Sequence, residues 1–312
     1  MDQAAVQVTT RWVYRLAALA TFLTVIMGSA VCSTESGAAC PSWPGCYAAQ
    51  ITPDGTNSAI EFAHRVVAFA ALVLMATAAW RGRRLADRQL RLFPLVALVA
   101  ALSSAVFGMI VVLFGLPKAW GVVDVAAALA ALCLTAAAAI RLEPSTRQVT
   151  TATPGLSRLA WGTVAVVIVM HLLGIVVAAT GSFVRCLSWP VWRIVASDEQ
   201  PWVQAVRIAV GLLAVALVCA VIVRALGVPG LRAHALVLAA LLVGELVMGQ
   251  LIVGQFTGEQ DRDIVLAAMY SMLAVVILWT TALLAARASA GTATASAGLS
   301  DAAQAAREPV SR

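Results

Sequence analysis

The sequence predicts an all-α polytopic membrane protein whose eight transmembrane helices form two four-helix bundles related by a parallel repeat. Three observations predict it. Of 312 residues, 62% are hydrophobic and only 12% charged, with a mean hydropathy of +0.92. Soluble domains are about 45–50% apolar and about 25% charged, so an ordinary cytosolic enzyme is excluded. Eight apolar runs approach the ~20 residues needed to cross a bilayer. One short loop motif occurs twice.

The runs are 12–31, 60–80, 93–115, 119–140, 159–181, 203–225, 233–254 and 264–286. Lipid offers the backbone no hydrogen-bond partners, so each run is expected to be a helix. The first, preceded by Arg11 and flanked by Arg15, has the look of a signal peptide, but Gly28-Ser29-Ala30 makes a weak cleavage site. The chain divides into an N-terminal segment 1–11, a first half 12–140 with an outer Cys loop 32–59, a linker 141–158, a second half 159–286 and a tail 287–312. The tail is rich in Ala, Ser and Thr without an apolar period, and is expected to be disordered.

Arginine placement sets the expected orientation. Arg81, Arg83, Arg84, Arg88 and Arg91 crowd the loop after the second run; Arg141, Arg147 and Arg158 follow the fourth, and Arg224 and Arg232 the sixth. The alternate loops hold only Lys118, Arg185, Arg193 and Arg262. Both termini are therefore expected in the cytoplasm of a bacterial-type cell, with loops 32–59 and 182–202 outside. The net charge of +6 belongs to this pattern and does not indicate a nucleic-acid partner; the partner that it implies is membrane lipid.

The repeat is carried by Cys40-Pro41-Ser42-Trp43-Pro44-Gly45-Cys46 and, 146 residues later, Cys186-Leu187-Ser188-Trp189-Pro190-Val191-Trp192. Gly28 and Thr34-Glu35-Ser36 match Gly174 and Thr180-Gly181-Ser182 at the same offset, and His64-Arg65 matches Val206-Arg207 with a small change of loop length. A parallel repeat places a shared or duplicated site between equivalent helices.

Polar and ionisable groups within apolar runs mark functional positions because lipid penalises them. They are Glu61, His64 and Arg65 in the second run, Asp124 in the fourth, His171 in the fifth, Arg207 in the sixth, and Glu245 with Gln250 in the seventh. Glu61 and His64 are i, i+3 on one helical face. An imidazole there either ligates haem iron beside a proton-handling carboxylate, or hydrogen-bonds a neighbouring helix next to a Glu61–Arg65 pair. His234 reads as a solvated helix end. Cys32, Cys40 and Cys46 lie in or beside an oxidising outer loop; Cys40 and Cys46 are spaced to close a disulfide, or form a thiol pair awaiting a redox partner. No His or further Cys sits at zinc-ligand spacing from them. Cys133 and Cys219 read as packing residues, and Trp43 and Trp189 as interface anchors.

The string Thr34-Glu35-Ser36-Gly37-Ala38-Ala39-Cys40-Pro41-Ser42-Trp43-Pro44-Gly45-Cys46, followed by Glu61-Phe62-Ala63-His64-Arg65, resembles the haem A synthase family over about residues 11–286. The resemblance implies a bis-histidine haem pocket in each half, one haem b that relays electrons and one haem O whose methyl group is oxidised to a formyl. The implied ligand positions are His64, Asp124, Val206 and Tyr270, of which only the first is histidine. Valine cannot ligate iron, and aspartate is a poor axial ligand. The second pocket is then lost, or rebuilt around Tyr270 and His171. On this resemblance Glu61 is the acid–base group, His64 the axial ligand, and Arg65, Asp124, Tyr270, His171 and Arg207 contribute to cofactor binding. The expected activity is conversion of haem O to haem A for cytochrome oxidase, with haem O synthase and oxidase assembly proteins as partners. A catalytically silent haem-binding assembly factor, or a pocket turned to another lipophilic ligand, is the alternative.

Overall fold

The computed structural model describes residues 3–114, 118–143, 154–177, 186–190, 201–255 and 260–305. Among them are eight α-helices: α1 Gln3–Ser33, α2 Thr56–Gly82, α3 Arg88–Phe114, α4 Lys118–Arg141, α5 Pro154–Val177, α6 Pro201–Leu226, α7 Arg232–Gln255 and α8 Gln260–Ala305. A 3-10 turn spans Ser36–Ala38. All eight helices are long and apolar enough to cross a membrane, and the chain is a multi-pass α-helical membrane protein.

Helix ends follow local chemistry. Proline opens α5 and α6, where its missing N–H costs nothing. Gly55, at φ +102°, turns the chain into α2 in a region that L side chains avoid. In α3, Pro94 has no N–H to offer the carbonyl of Leu90. The Tyr14 hydroxyl of α1 takes that carbonyl instead, at 2.7 Å. Gly82 makes this approach possible, because a Cβ there would collide with the Tyr14 hydroxyl.

Within each half, consecutive helices pack together and the first packs on the fourth. Helix α8 is the keystone between halves: it packs on α1 and α4, and its Trp279 stacks on Phe22 at 4.1 Å. A disulfide, Cys32–Cys186, also joins the halves. The end of the bundle that carries it is called the disulfide end, and the opposite one the arginine end. At the arginine end, Glu143 binds Arg287 at 3.0 Å and Arg15 at 3.8 Å.

Helix α8 continues past residue 286, where a disordered tail was expected. Ala288 and Ala290 are buried, Ser289 accepts hydrogen bonds at 2.9 Å from Trp161 and pairs with Ser157 at 2.7 Å, and helix runs to Ala305. Alanine, the strongest helix former, keeps the segment helical without an apolar stripe. Residues 306–312, most of the 141–158 linker and most of loop 182–202, with Thr180-Gly181-Ser182 and Arg193, lie outside the described residues.

Candidate functional site in the N-terminal half

The first turns of α2 meet the Cys loop. Cys40 and Cys46 form a disulfide, both fully buried, so the open-thiol reading is set aside. Arg65 holds the loop down. It donates to the carbonyls of Ser42 at 2.6 Å, Gly45 at 2.9 Å and Cys40 at 2.9 Å, while its Nε bonds Glu61 at 2.8 Å. Three carbonyls and a carboxylate occupy the planar fork as only a guanidinium can. Glu61 is buried at this junction, with its carboxylate oriented by Arg65.

One turn along, His64 faces α1. Its ring lies over Gly28, where a Cβ would come 3.2 Å from Cε1, and it bonds the backbone of Thr24. Its Nδ1 is buried with no hydrogen-bond partner among the described residues. Asp124 of α4 accepts a hydrogen bond from Ser104 of α3, a residue that no sequence pattern singled out. That bond ties α4 to α3 through one of the two Asp124 carboxylate oxygens.

Around these groups the N-terminal bundle is loosely closed. No residue is buried on α2 from 62 to 70, on α3 after Ala97, or on α4 from 120 to 128. The compact core of this half, built on Tyr14, Ala71, Met75, Ala97 and Ala131, lies toward the arginine end. An open cavity of about 430 Å³ sits on the surface between Tyr47 and the first turn of α2; it does not reach His64.

The C-terminal half is closed. The strap Cys186–Pro190 descends between its helices: Ser188 is fully buried, and Trp189, 3% exposed, is a core residue and not an interface anchor. Arg207 donates to the Ser188 carbonyl at 2.6 Å, and the Tyr270 hydroxyl to that of Trp189 at 3.4 Å. Ser29 of α1 donates to the Cys186 carbonyl at 3.3 Å, and the Pro190 ring fills the space that a Gly211 side chain would need. His171, Arg207 and Tyr270, expected as cofactor contacts, are brought together here: Arg207 lies within electrostatic range of both others. Glu245 joins them through Tyr270, while Gln250 is exposed. Val206, at the equivalent of His64, points outward at 43% exposure. Among the lesser expectations, Cys133 is a packing residue but Cys219 is exposed, and His234 is half-buried within electrostatic range of Arg287 and Glu143.

The inter-half disulfide was missed, although the repeat contained its signal. Cys186 is the equivalent of Cys40, but Trp192 stands at the equivalent of Cys46, which leaves Cys186 without a partner in its own loop. Cys32 supplies it.

The residues fit a haem in one half and not in the other. His64 bonds a backbone group while leaving Nδ1 unpaired, an arrangement suited to an axial ligand, and the bundle beside it is loosely closed. In the other half His171 also keeps both ring nitrogens unpartnered among the described residues, but Val206 cannot ligate, the Tyr270 hydroxyl is engaged by the strap, and Trp189 and Pro190 fill the interior that a haem would need. No protein-family model matches the chain, and no curated protein matches its sequence.

Proposed function

We propose that the protein is a haem A synthase-like membrane oxidoreductase that takes haem O into its N-terminal half and oxidises the methyl group to the formyl of haem A. The observation that carries the reading is His64: a half-buried imidazole whose buried Nδ1 has no partner among the described residues, beside a carboxylate fixed by Arg65, in the half whose helices leave room next to it. Haem supplies redox chemistry at its iron when bound. His64 would hold that iron. Glu61, oriented by Arg65, would hold or pass a proton at its carboxylate, and the open flank between α2, α3 and α4 would admit a lipophilic ring from the bilayer.

Arginine placement and the two disulfides support an orientation with the disulfide end outside the cell membrane and both termini in the cytoplasm. Turning the methyl into a formyl takes one oxygen atom from water and releases four protons and four electrons; with the second half closed, a partner would accept those electrons. Supply and delivery of the tetrapyrrole would involve haem O synthase and oxidase assembly proteins.

The test is haem content and type on protein purified with a co-expressed haem O supply, by pyridine haemochrome spectra and chromatography of the extracted haem. The expected result is about one haem per chain, partly converted to haem A and lost in His64→Ala. No haem under these conditions overturns the proposal. A second reading, a haem-carrying assembly factor without catalysis, is favoured by the closed C-terminal half; bound haem O with no haem A formed would select it.

A further inference from the structure

We infer that the C-terminal half holds an internal chain of ordered water, a route for protons, leading from the disulfide end to Glu245 near the middle of α7. It goes beyond the haem reading and does not depend on it. Three side chains carry it. His171 and Glu245 are 1% exposed and Gln204 is 4% exposed, and none of their polar side-chain atoms has a hydrogen-bond partner among the described residues. Buried polar atoms are satisfied in the great majority of native structures, and an orphan of this kind marks an unseen water or ion. Three such side chains in one half of one bundle leave six nitrogen and oxygen atoms to be satisfied.

Their order along the membrane axis makes a line. Gln204 and Arg207 belong to the first turns of α6 at the disulfide end, and His171 to the last turns of α5 at the same end. Tyr270 follows within the early part of α8, and Glu245 sits past the midpoint of α7. Electrostatic contacts run in that sequence: Arg207 with His171 and with Tyr270, then Tyr270 with Glu245. No hydrogen bond among the described residues joins His171, Gln204 and Glu245 to one another, so a bridging partner is needed to satisfy them. Water suits the gaps. It needs only a small void with polar neighbours, whereas the strap and Trp189 leave no space for a larger molecule. Imidazole, phenol and carboxyl groups joined by water can hand a proton along without any change of oxidation state.

Radiolytic hydroxyl-radical labelling tests the chain on the full-length protein in lipid nanodiscs. Tyr14 and Tyr270 are equally buried, at 2% and 3% exposure, but Tyr14 lies in a packed apolar core. Bound water beside Tyr270 should make it label several-fold faster than Tyr14, as read by mass spectrometry. Equal protection of the two overturns the proposal. In a background of Cys133→Ala and Cys219→Ser, Glu245→Cys should then react with a small water-soluble thiosulfonate, whose sulfur is attacked by the ionised, hydrated thiolate with release of sulfinate. If this protein folds and the new thiol stays unreactive while Tyr270 is labelled, water stops short of Glu245 and the proton route is overturned.

Discussion

The two halves share a hinge and differ in what hangs from it. Arg65 and Arg207 occupy equivalent places in the repeat, and each donates to an equivalent carbonyl, Ser42 and Ser188, at 2.6 Å. Beyond that bond the halves part. Trp43 stays at the surface with 47% exposure, whereas Trp189 is driven inside. The first loop is closed on itself by Cys40–Cys46; the second, lacking that partner, is tied across to α1. Where a histidine follows the loop the bundle stays open beside it, and where valine follows it the loop fills the bundle. In the second half the strap packs inside and buries Trp189 and Leu187.

The largest way to break this comparison is to cut the tie. Cys32→Ser with Cys186→Ser removes a crosslink spanning 154 residues, and the chain-entropy model puts such a loss at about 5 kcal/mol. Thermal unfolding in nanodiscs should show it as a marked fall in midpoint, and the strap should become protease-accessible. An unchanged midpoint would mean that Arg207, Tyr270 and Ser29 suffice to hold the strap.

Next come the paired arginines. Arg65→Gln strands a buried carboxylate and up to three loop carbonyls, so about 3 kcal/mol is expected, near the usual loss for breaking a buried ion pair. Arg207→Gln should loosen the strap without disturbing the Cys40–Cys46 loop. Cleavage of each loop by a soluble protease, compared between the variants, reads the two effects separately. If both variants release both loops, the hinges do not act half by half.

Gly211→Ala is a smaller, local perturbation of the closed half. Its Cβ would also lie 3.0 Å from Pro190 Cδ, so the strap must shift, at a cost of about 1–3 kcal/mol for overpacking. On the proposed function, haem content should be unaffected. Loss of haem in this variant would place the proposed site in the wrong half.

Much of this architecture is legible in the sequence because lipid makes few demands and makes them strongly. Long apolar runs can only be helices, and duplication of Cys-x-Ser-Trp-Pro announces two like halves. Closure of the second half is less legible. It depends on where Trp189 points, and a tryptophan in a loop next to a membrane reads equally well as an anchor or a plug. Ser104 escapes for a similar reason, since a serine among apolar residues gives no sign of the carboxylate that it serves. The Ala-rich end of α8 misleads in the opposite direction: lack of amphipathic period says nothing against helix when intrinsic propensity is high.

The arginine end offers the finest comparison. In each half the turn before the third helix is closed by an arginine reaching six residues back: Arg91 to the Leu85 carbonyl at 2.9 Å, and Arg232 to that of Leu226 at 3.0 Å. Only the first half adds an acid. Asp87 accepts the Gln89 N–H at 2.8 Å as an N-cap of α3 and bonds Arg141 of α4 at 2.6 Å. Burial alone would push its pKa up, but the hydrogen bond from Arg141, the Gln89 N–H and the Arg141 charge outweigh burial and hold it below the usual carboxylate value. A pKa lowered by folding means that the contribution is present above the unfolded value near ~3.9 and disappears as pH falls through the folded value. Asp87→Asn keeps an N-cap but loses the charge, so it should cost below ~1 kcal/mol at neutral pH, as partly exposed pairs do. Its penalty should vanish at low pH. Asp87→Ala removes the cap as well, adding about 1 kcal/mol. Unfolding midpoints of the three proteins across the acid range separate cap from charge. A pH-independent gap between wild type and Asp87→Asn would show that Arg141 contributes nothing through its charge, leaving the arginine ends of the two halves energetically alike.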